Sequence, residues 1–289
     1  MKSLLILLLI FVILISGCVE QETLVTTGTK DGVKIKGFSF DRSSIYAGDP
    51  VGLNLEIQNV GDVEAELQAI KIYGLMNRTV ELKTDDILSP GLPNENIEGE
   101  SQYYREIFEA PYVSASTTFN FGARVEYRYR SIYTGTLRVV EGSYLESLSA
   151  EDRDSLLDNS GVISASVTGG PLSVSPVKGR GFIVDGGSMT RPILFKVTNA
   201  GSGYTYTGSI ETGNYQVTIT SDGLEYCGIV EGGTPNPTIK LSKGKSRIFS
   251  CNFTTPSEVV NKMDVIFSIS FDYNYYVDGT TTITIEPSG

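Results

Sequence analysis

The sequence has 289 residues, enough for about two domains, and its 34 Asp and Glu outnumber its 23 Lys and Arg to give a formal net charge of −11. It contains no His, which excludes Ser-His-Asp and Cys-His nucleophile pairs and His-ligated zinc or haem. The acidic balance opposes a surface that follows nucleic-acid phosphates, so we expect no nucleic-acid partner.

The first segment, residues 1–17, is predicted to be a signal peptide. Lys2 precedes an unbroken apolar run at positions 4–15, which is shorter than the roughly 20 residues of a membrane-spanning helix but fits a signal-peptide core. The run ends in Ile-Ser-Gly-Cys at positions 15–18, which resembles the lipobox of prokaryotic lipoproteins. The resemblance implies cleavage before Cys18, lipidation of Cys18, and an extracellular ectodomain held to the membrane by this lipid. The alternative is an ordinary or uncleaved signal followed by a chance cysteine.

Residues 18–32 are polar and Thr-rich without periodicity, so we interpret them as a flexible tether. Beyond them, alternating apolar and polar residues predict β-strands. A strand at 51–58 runs into the turn Asn-Val-Gly at 59–61, and a strand at 193–198 runs into Asn-Ala-Gly at 199–201. The same arrangement therefore occurs twice along the chain.

Further landmarks repeat in the same order. Ala-Pro at 110–111 corresponds to Thr-Pro at 255–256, and long alternating strands are predicted at 119–129 and 263–273. We expect each long strand to end in a turn before a closing strand that begins at Gly135 or Gly279. The two glycines lie 144 positions apart (279 − 135). Such ordered repetition indicates a tandem duplication.

The predicted fold class is all-β. Each unit has about seven short strands and no long helical period, a pattern typical of an antiparallel β-sandwich, with a barrel as the main alternative. We therefore predict two tandem immunoglobulin-like sandwiches, at residues 33–141 and 162–289.

The stretch AGDPVGLNLEIQNVG at 47–61 resembles the opening of CARDB-like immunoglobulin-type domains, which recur in prokaryotic, especially archaeal, surface proteins. The second unit departs from this pattern, because DGGSMTRP at 185–192 stands where Gly-x-x-Val is expected. The resemblance implies an adhesion or spacer module and supplies no catalytic residue.

Residues 142–161 are predicted to be an acidic linker with a short helix near 150–158. Ser149 with Asp152 three positions later resembles a capping box. Glu151 and Asp152 also suit a helix N-terminus, where the helix dipole favours negative charge.

The two cysteines beyond Cys18 are Cys227 and Cys251, both in candidate strands of the second unit. In an oxidising exterior such a pair predicts a disulfide; two buried free thiols are the alternative. Asn77 and Asn252 each begin an N-x-T sequon, which predicts N-glycosylation in an organism that uses such sequons.

No motif identifies a catalytic centre, so we predict no enzyme activity, no cofactor and no catalytic, cofactor-binding or metal-ligating residue. The Ser-x-x-Lys spacing at 175–178 lacks its companion motifs, and the acidic stretches lack the calcium-loop pattern. Tyrosines at predicted strand ends could stack on a sugar or a protein partner, or cap the edge of a core: Tyr204, Tyr206, Tyr275 and Tyr276.

The sequence thus predicts a non-catalytic cell-surface lipoprotein that acts as a binding, adhesion or spacer module. Two alternatives stay open. One is a structural subunit of a surface filament or S-layer-associated assembly, and the other is a carbohydrate-binding or carbohydrate-active protein.

Overall fold

A computed structural model describes residues 25–27, 31–75, 78–92, 95–157, 161–177, 181–207, 216–231 and 234–289. Within these residues the chain forms 20 β-strands and two short α-helices, so the predicted all-β class is confirmed. No helix in this part of the chain is long and apolar enough to cross a membrane. The predicted signal peptide, Cys18, most of the predicted tether and Asn77 lie outside the described residues.

The two helices divide the strands into an earlier and a later set. The earlier set is β1 (Val25–Thr27), β2 (Val33–Phe40), β3 (Ser44–Tyr46), β4 (Pro50–Asn59), β5 (Ala65–Leu75), β6 (Arg78–Lys83), β7 (Ile87–Leu88), β8 (Ser101–Glu109) and β9 (Thr117–Glu141). The helices are α1 (Gly142–Ser147) and α2 (Ala150–Leu157). The later set is β10 (Val162–Thr168), β11 (Leu172–Pro176), β12 (Phe182–Val184), β13 (Thr190–Asn199), β14 (Tyr204–Tyr206), β15 (Gln216–Asp222), β16 (Glu225–Glu231), β17 (Thr234–Asn236), β18 (Thr238–Lys240), β19 (Ser246–Thr254) and β20 (Lys262–Glu286).

Two strands of 25 residues each, β9 and β20, organise the molecule. They pair antiparallel over almost their whole length, from Lys262 opposite Val140 to Ile285 opposite Thr117. The two halves of the chain therefore share one large sheet.

The turns expected inside these two strands do not form. Odd-numbered side chains stay buried without a break from Phe121 to Val139 in β9 and from Phe267 to Val277 in β20, so the period of two continues through both expected turns. Gly135 serves a different purpose, because a Cβ atom there would lie 2.5 Å from the Phe267 ring across the sheet. This glycine makes room for an aromatic side chain and does not open a closing strand.

Two smaller sheets cover the inner face of the large sheet. The sheet β2-β4-β8 lies over the start of β9 and the end of β20, where Leu53 packs in one cluster with Phe121 and Ile283. The sheet β11-β13-β19-β16-β17 lies over the other end, where the Phe195 ring is 5.8 Å from both the Tyr133 and Phe267 rings. Each end is thus a two-layer structure with strands from both halves of the chain. The immunoglobulin-like identity and the boundaries 33–141 and 162–289 stay predictions.

The two halves repeat the same local pairing. β4 lies between β2 and β8, and β13 lies between β11 and β19. Both β4 and β13 end in an Asn-x-Gly turn. The side-chain oxygens of Asn59 and Asn199 accept hydrogen bonds from the N–H groups of Gly61 (3.0 Å) and Gly201 (3.2 Å). The repeat seen in the sequence therefore has a counterpart in the hydrogen-bonding pattern.

The halves also exchange short strands. β3, from the first half, pairs parallel with the end of β20, and β12, from the second half, pairs parallel with the end of β9. Tyr129 lies opposite Tyr273 in the β9–β20 ladder, and these residues are themselves 144 positions apart (273 − 129). Two residues that correspond in the repeat therefore lie opposite each other, and this tyrosine pair marks an approximate two-fold axis between the halves.

The connector contains the predicted helix, at Ala150–Leu157. The Ser149 hydroxyl oxygen accepts the Asp152 N–H at 3.1 Å, as the capping-box spacing predicts. The Asp152 carboxylate accepts the Ser149 hydroxyl at 2.6 Å and not the Ser149 backbone N–H of a full capping box. The preceding helix α1 was not predicted. Arg153 donates to the carbonyls of Leu145 and Glu146, so α2 is tied to α1.

Candidate functional site

Three of the four tyrosines that the sequence indicates meet on the outer face of the large sheet. β14 pairs with β20 so that Tyr204 lies opposite Tyr276, with ring centroids 6.0 Å apart. The Tyr206 ring lies 6.1 Å from that of Tyr276. Tyr204 is 39% exposed, whereas Tyr206 is only 8% exposed and forms the buried base of this surface. We call these three residues, together with Tyr73 and Arg124, the tyrosine patch.

Tyr275 does not belong to this surface. Neighbouring residues of a strand point to opposite faces of the sheet, and Tyr275 is fully buried on the inner face. Its hydroxyl donates to the Asn199 side-chain oxygen at 2.8 Å and accepts the Gly203 N–H at 3.0 Å, and burial raises its pKa. The prediction that Tyr275 contacts a partner is corrected accordingly: it is a core residue that fixes an Asn-x-Gly turn.

Arg124 is held over the Tyr276 ring. Its guanidinium forms two hydrogen bonds with the Asp278 carboxylate, at 2.7 and 2.8 Å, and its centre lies 4.2 Å from the Tyr276 ring centroid. The hydrogen bonds to Asp278 raise the pKa of Arg124, which favours the charged form of the guanidinium. The Tyr73 hydroxyl also donates to Asp278, at 3.4 Å, and burial raises the pKa of Tyr73.

A buried carboxylate lies beneath the patch. Glu126 is 6% exposed, and its two oxygens accept hydrogen bonds from the Lys71 ammonium at 2.6 Å and the Tyr206 hydroxyl at 3.2 Å. Burial, followed by the charge of Glu126, raises the pKa of Tyr206. A buried carboxylate is tolerated when a cation and a hydroxyl satisfy it, so this network fixes the position of the Tyr206 ring. The sequence did not indicate Glu126, because its partners come from β5 and β14, far away in the chain.

Ion pairs also link the two long strands on this face. Besides the Arg124–Asp278 pair, Arg130 contacts Asp272 at 2.7 Å and Arg138 contacts Asp264 at 2.9 Å. The hydrogen bond to Arg138 lowers the pKa of the Asp264 carboxyl. These arginines therefore hold β9 to β20, and each has an acidic partner within the chain.

An open cleft of about 510 Å³ adjoins β5 on the outer face. It is lined by Val63, Glu64, Glu66, Ile87, Arg128, Tyr129, Arg130 and Asp272. The nearest nitrogen of Arg128 lies 4.0 Å from the Glu66 carboxylate, and the lining contains both acidic and basic side chains. In the part of the chain that the structure describes, no three His, Cys, Asp or Glu side chains come together as a metal site.

The predicted disulfide is confirmed. Cys227 and Cys251 are buried and bonded to each other. They join β16 to β19 in the sheet β11-β13-β19-β16-β17. Asn252 follows Cys251 and is partly exposed on the outer side of that sheet, as strand alternation predicts. Its glycosylation, like that of Asn77, stays a prediction.

No family model matches this chain, and no curated protein matches it. A DNA-bound alkylpurine DNA glycosylase from Pseudomonas fluorescens superposes with a TM-score of 0.24 at 13% identity, over 34% of this chain and 28% of that chain. Red sea bream transglutaminase gives 0.19 at 12% identity, over 87% and 31%, and collagen adhesin from S. aureus gives 0.12 at 9%, over 91% and 96%. The chain thus spans about a third or less of the first two proteins. Superpositions this poor carry no argument about fold or function.

Proposed function

We propose that this chain is a non-catalytic, lipid-anchored cell-surface protein whose β-rich body presents a binding face away from the membrane. The observation that carries this proposal is the pairing of β9 with β20 from Lys262 to Ile285. Because these strands run through both two-layer ends, neither end can turn against the other without breaking hydrogen bonds of the shared ladder. A rigid body of this kind suits a spacer, or a scaffold that holds a recognition surface in a fixed position.

The anchor is tested by replacing the cysteine that would carry the lipid. We expect the wild-type chain to incorporate a radiolabelled fatty acid in its native host and to sediment with membranes, and Cys18→Ser to lose both properties. The double variant Cys227→Ala/Cys251→Ala is the matched control, because it removes cysteines that are already bonded to each other and should leave labelling intact. A wild-type product that is soluble and unlabelled would contradict the anchor.

The tyrosine patch supports a second, more specific candidate function, the binding of carbohydrate. The exposed Tyr204 ring beside Tyr276 offers an apolar face for a sugar ring. The Arg124–Asp278 pair lies at the same surface and carries donors and acceptors suited to hydroxyl groups. The hydrogen bonds of Tyr206 and Tyr73 hold this arrangement in place before any ligand arrives, which lowers the entropic cost of binding.

On a glycan array we expect the protein to retain a subset of sugars and Tyr204→Ala to bind them about five- to tenfold more weakly, the effect of losing one stacking contact. Tyr112→Ala is the control, because Tyr112 is 82% exposed and lies outside the patch. The idea fails if no glycan binds, or if both variants lose binding equally. A parallel assay for released sugar separates a binding protein from a hydrolase.

A further inference from the structure

The internal repeat shows that one strand lacks the neighbour that its counterpart has. β8 and β19 correspond, because each pairs with the strand that ends in an Asn-x-Gly turn and each is followed by the repeated Ala-Pro or Thr-Pro. β19 has a second neighbour, β16, on its other side. Among the strands that the structure describes, β8 pairs with β4 alone and is the edge of its sheet.

The hydrogen bonds of β8 show which backbone groups face this open edge. At the two ends of the pairing, Ala110 N–H donates to the Asp49 carbonyl at 2.9 Å and Asn59 N–H donates to the Glu100 carbonyl at 3.0 Å. Even-numbered residues between them therefore face β4, and the N–H and C=O groups of odd-numbered residues face outwards. Nine residues of exposed strand edge are a template for pairing with another strand.

The side chains along this edge make it complementary to itself. Ile107 is 68% exposed, and Arg105 and Glu109 flank it on the same exposed side of the strand. Within the chain Arg105 contacts the Asp41 carboxylate at 2.6 Å, and its side chain stays 61% exposed. If two copies of β8 pair antiparallel with Ile107 opposite Ile107, each Arg105 also lies opposite the Glu109 of the other copy. Opposite charges in facing positions stabilise a sheet, and like charges destabilise it.

We propose that β8 pairs with β8 of a second copy of this chain, antiparallel and with Ile107 at the two-fold axis. In this register residues 105–109 of the two copies pair, and the two three-stranded sheets become one six-stranded sheet. In the next possible register Ile107 would lie opposite Arg105, and in the one after that Arg105 would lie opposite Arg105. Because the last of these sets like charges against each other, the charges favour the proposed register. The inference does not depend on sugar binding, because β8 and the tyrosine patch belong to different sheets. It also uses no residue of the predicted lipid anchor.

The register is tested by cross-linking. In an antiparallel pair, residues that exchange both backbone hydrogen bonds have Cα atoms about 5.5 Å apart, which is within the range of a disulfide. The full-length Ile107→Cys variant, purified in detergent and oxidised, should therefore migrate mainly as a dimer on a non-reducing gel. Ile266→Cys is the control, since Ile266 is 72% exposed but lies on β20; it should stay largely monomeric. Equal cross-linking of both variants, or none at Ile107→Cys, would overturn the proposal.

Two further variants separate edge pairing from a folding defect. Ile107→Pro removes an N–H that faces outwards and leaves the bonds to β4 in place, so light scattering should show a monomer with an unchanged circular dichroism spectrum. Glu109→Arg sets Arg opposite Arg105 twice in the dimer and should weaken dimerisation about tenfold or more. A wild-type chain that stays monomeric at all concentrations, or a Glu109→Arg chain that dimerises as well as the wild type, would refute the second copy as the occupant of this edge.

Discussion

Phe267→Ala should lower the free energy of unfolding by about 3–5 kcal/mol, the usual cost of emptying a buried phenylalanine site. The Phe267 side chain is buried between the Tyr133 and Phe195 rings, both 5.8 Å away, and it covers Gly135 of β9. Because β20 is also part of the other end of the large sheet, we expect the loss to reach both halves of the chain. Urea denaturation measures the loss of stability. In hydrogen exchange of the native protein, the amides of β4 and β13 should lose protection together.

The neighbouring residue provides the control for this experiment. Ile266 points outwards and is mostly exposed, so Ile266→Ala should change stability by less than about 0.5 kcal/mol. A Phe267→Ala protein in which β13 unfolds while β4 keeps its protection would contradict a shared sheet as the basis of stability.

Removal of the disulfide should cost about 3 kcal/mol. Cys227 and Cys251 are 24 positions apart, and closing a loop of that length restricts the unfolded chain by about this amount in the chain-entropy model. We expect Cys227→Ala/Cys251→Ala to unfold at a lower urea concentration and with a steeper slope, because the unfolded chain without the cross-link is less compact and exposes more surface. Reduction of the wild type should reproduce the shift and have no effect on the double variant. An unaltered midpoint in the double variant would show that the bond contributes nothing.

Local signals in the sequence predict local structure well. The period of two identifies the buried face of both long strands, since Phe121 and Tyr127 in β9 and Phe267 and Phe271 in β20 are all buried. Ser149 begins the connector helix because a hydroxyl oxygen can satisfy a free N–H in the first turn. The disulfide follows from redox chemistry and from the presence of two cysteines in one unit.

Contacts between distant segments could not be predicted in this way. Gly135 can serve either as a turn residue or as space for an aromatic ring, and only Phe267, more than a hundred positions later, decides between these roles. The position of Glu126 likewise depends on Lys71 and Tyr206. Tyr275 and Tyr276 lie at the same predicted strand end, but adjacent strand residues face opposite ways, and only Tyr276 reaches the outer face.

The exchange of short strands has a consequence for the order in which the protein can fold. Ser44 of β3 pairs with Thr284 of β20, and β20 follows every other described strand in the chain. The first half therefore cannot complete its sheet until the ribosome has made β20, and contacts of such long sequence separation form slowly. A chain that stays incompletely folded until β20 has been made remains open for longer, and an open chain is what a secretion channel requires. The same topology that makes the finished molecule stiff thus delays its formation, which accords with the export that we propose.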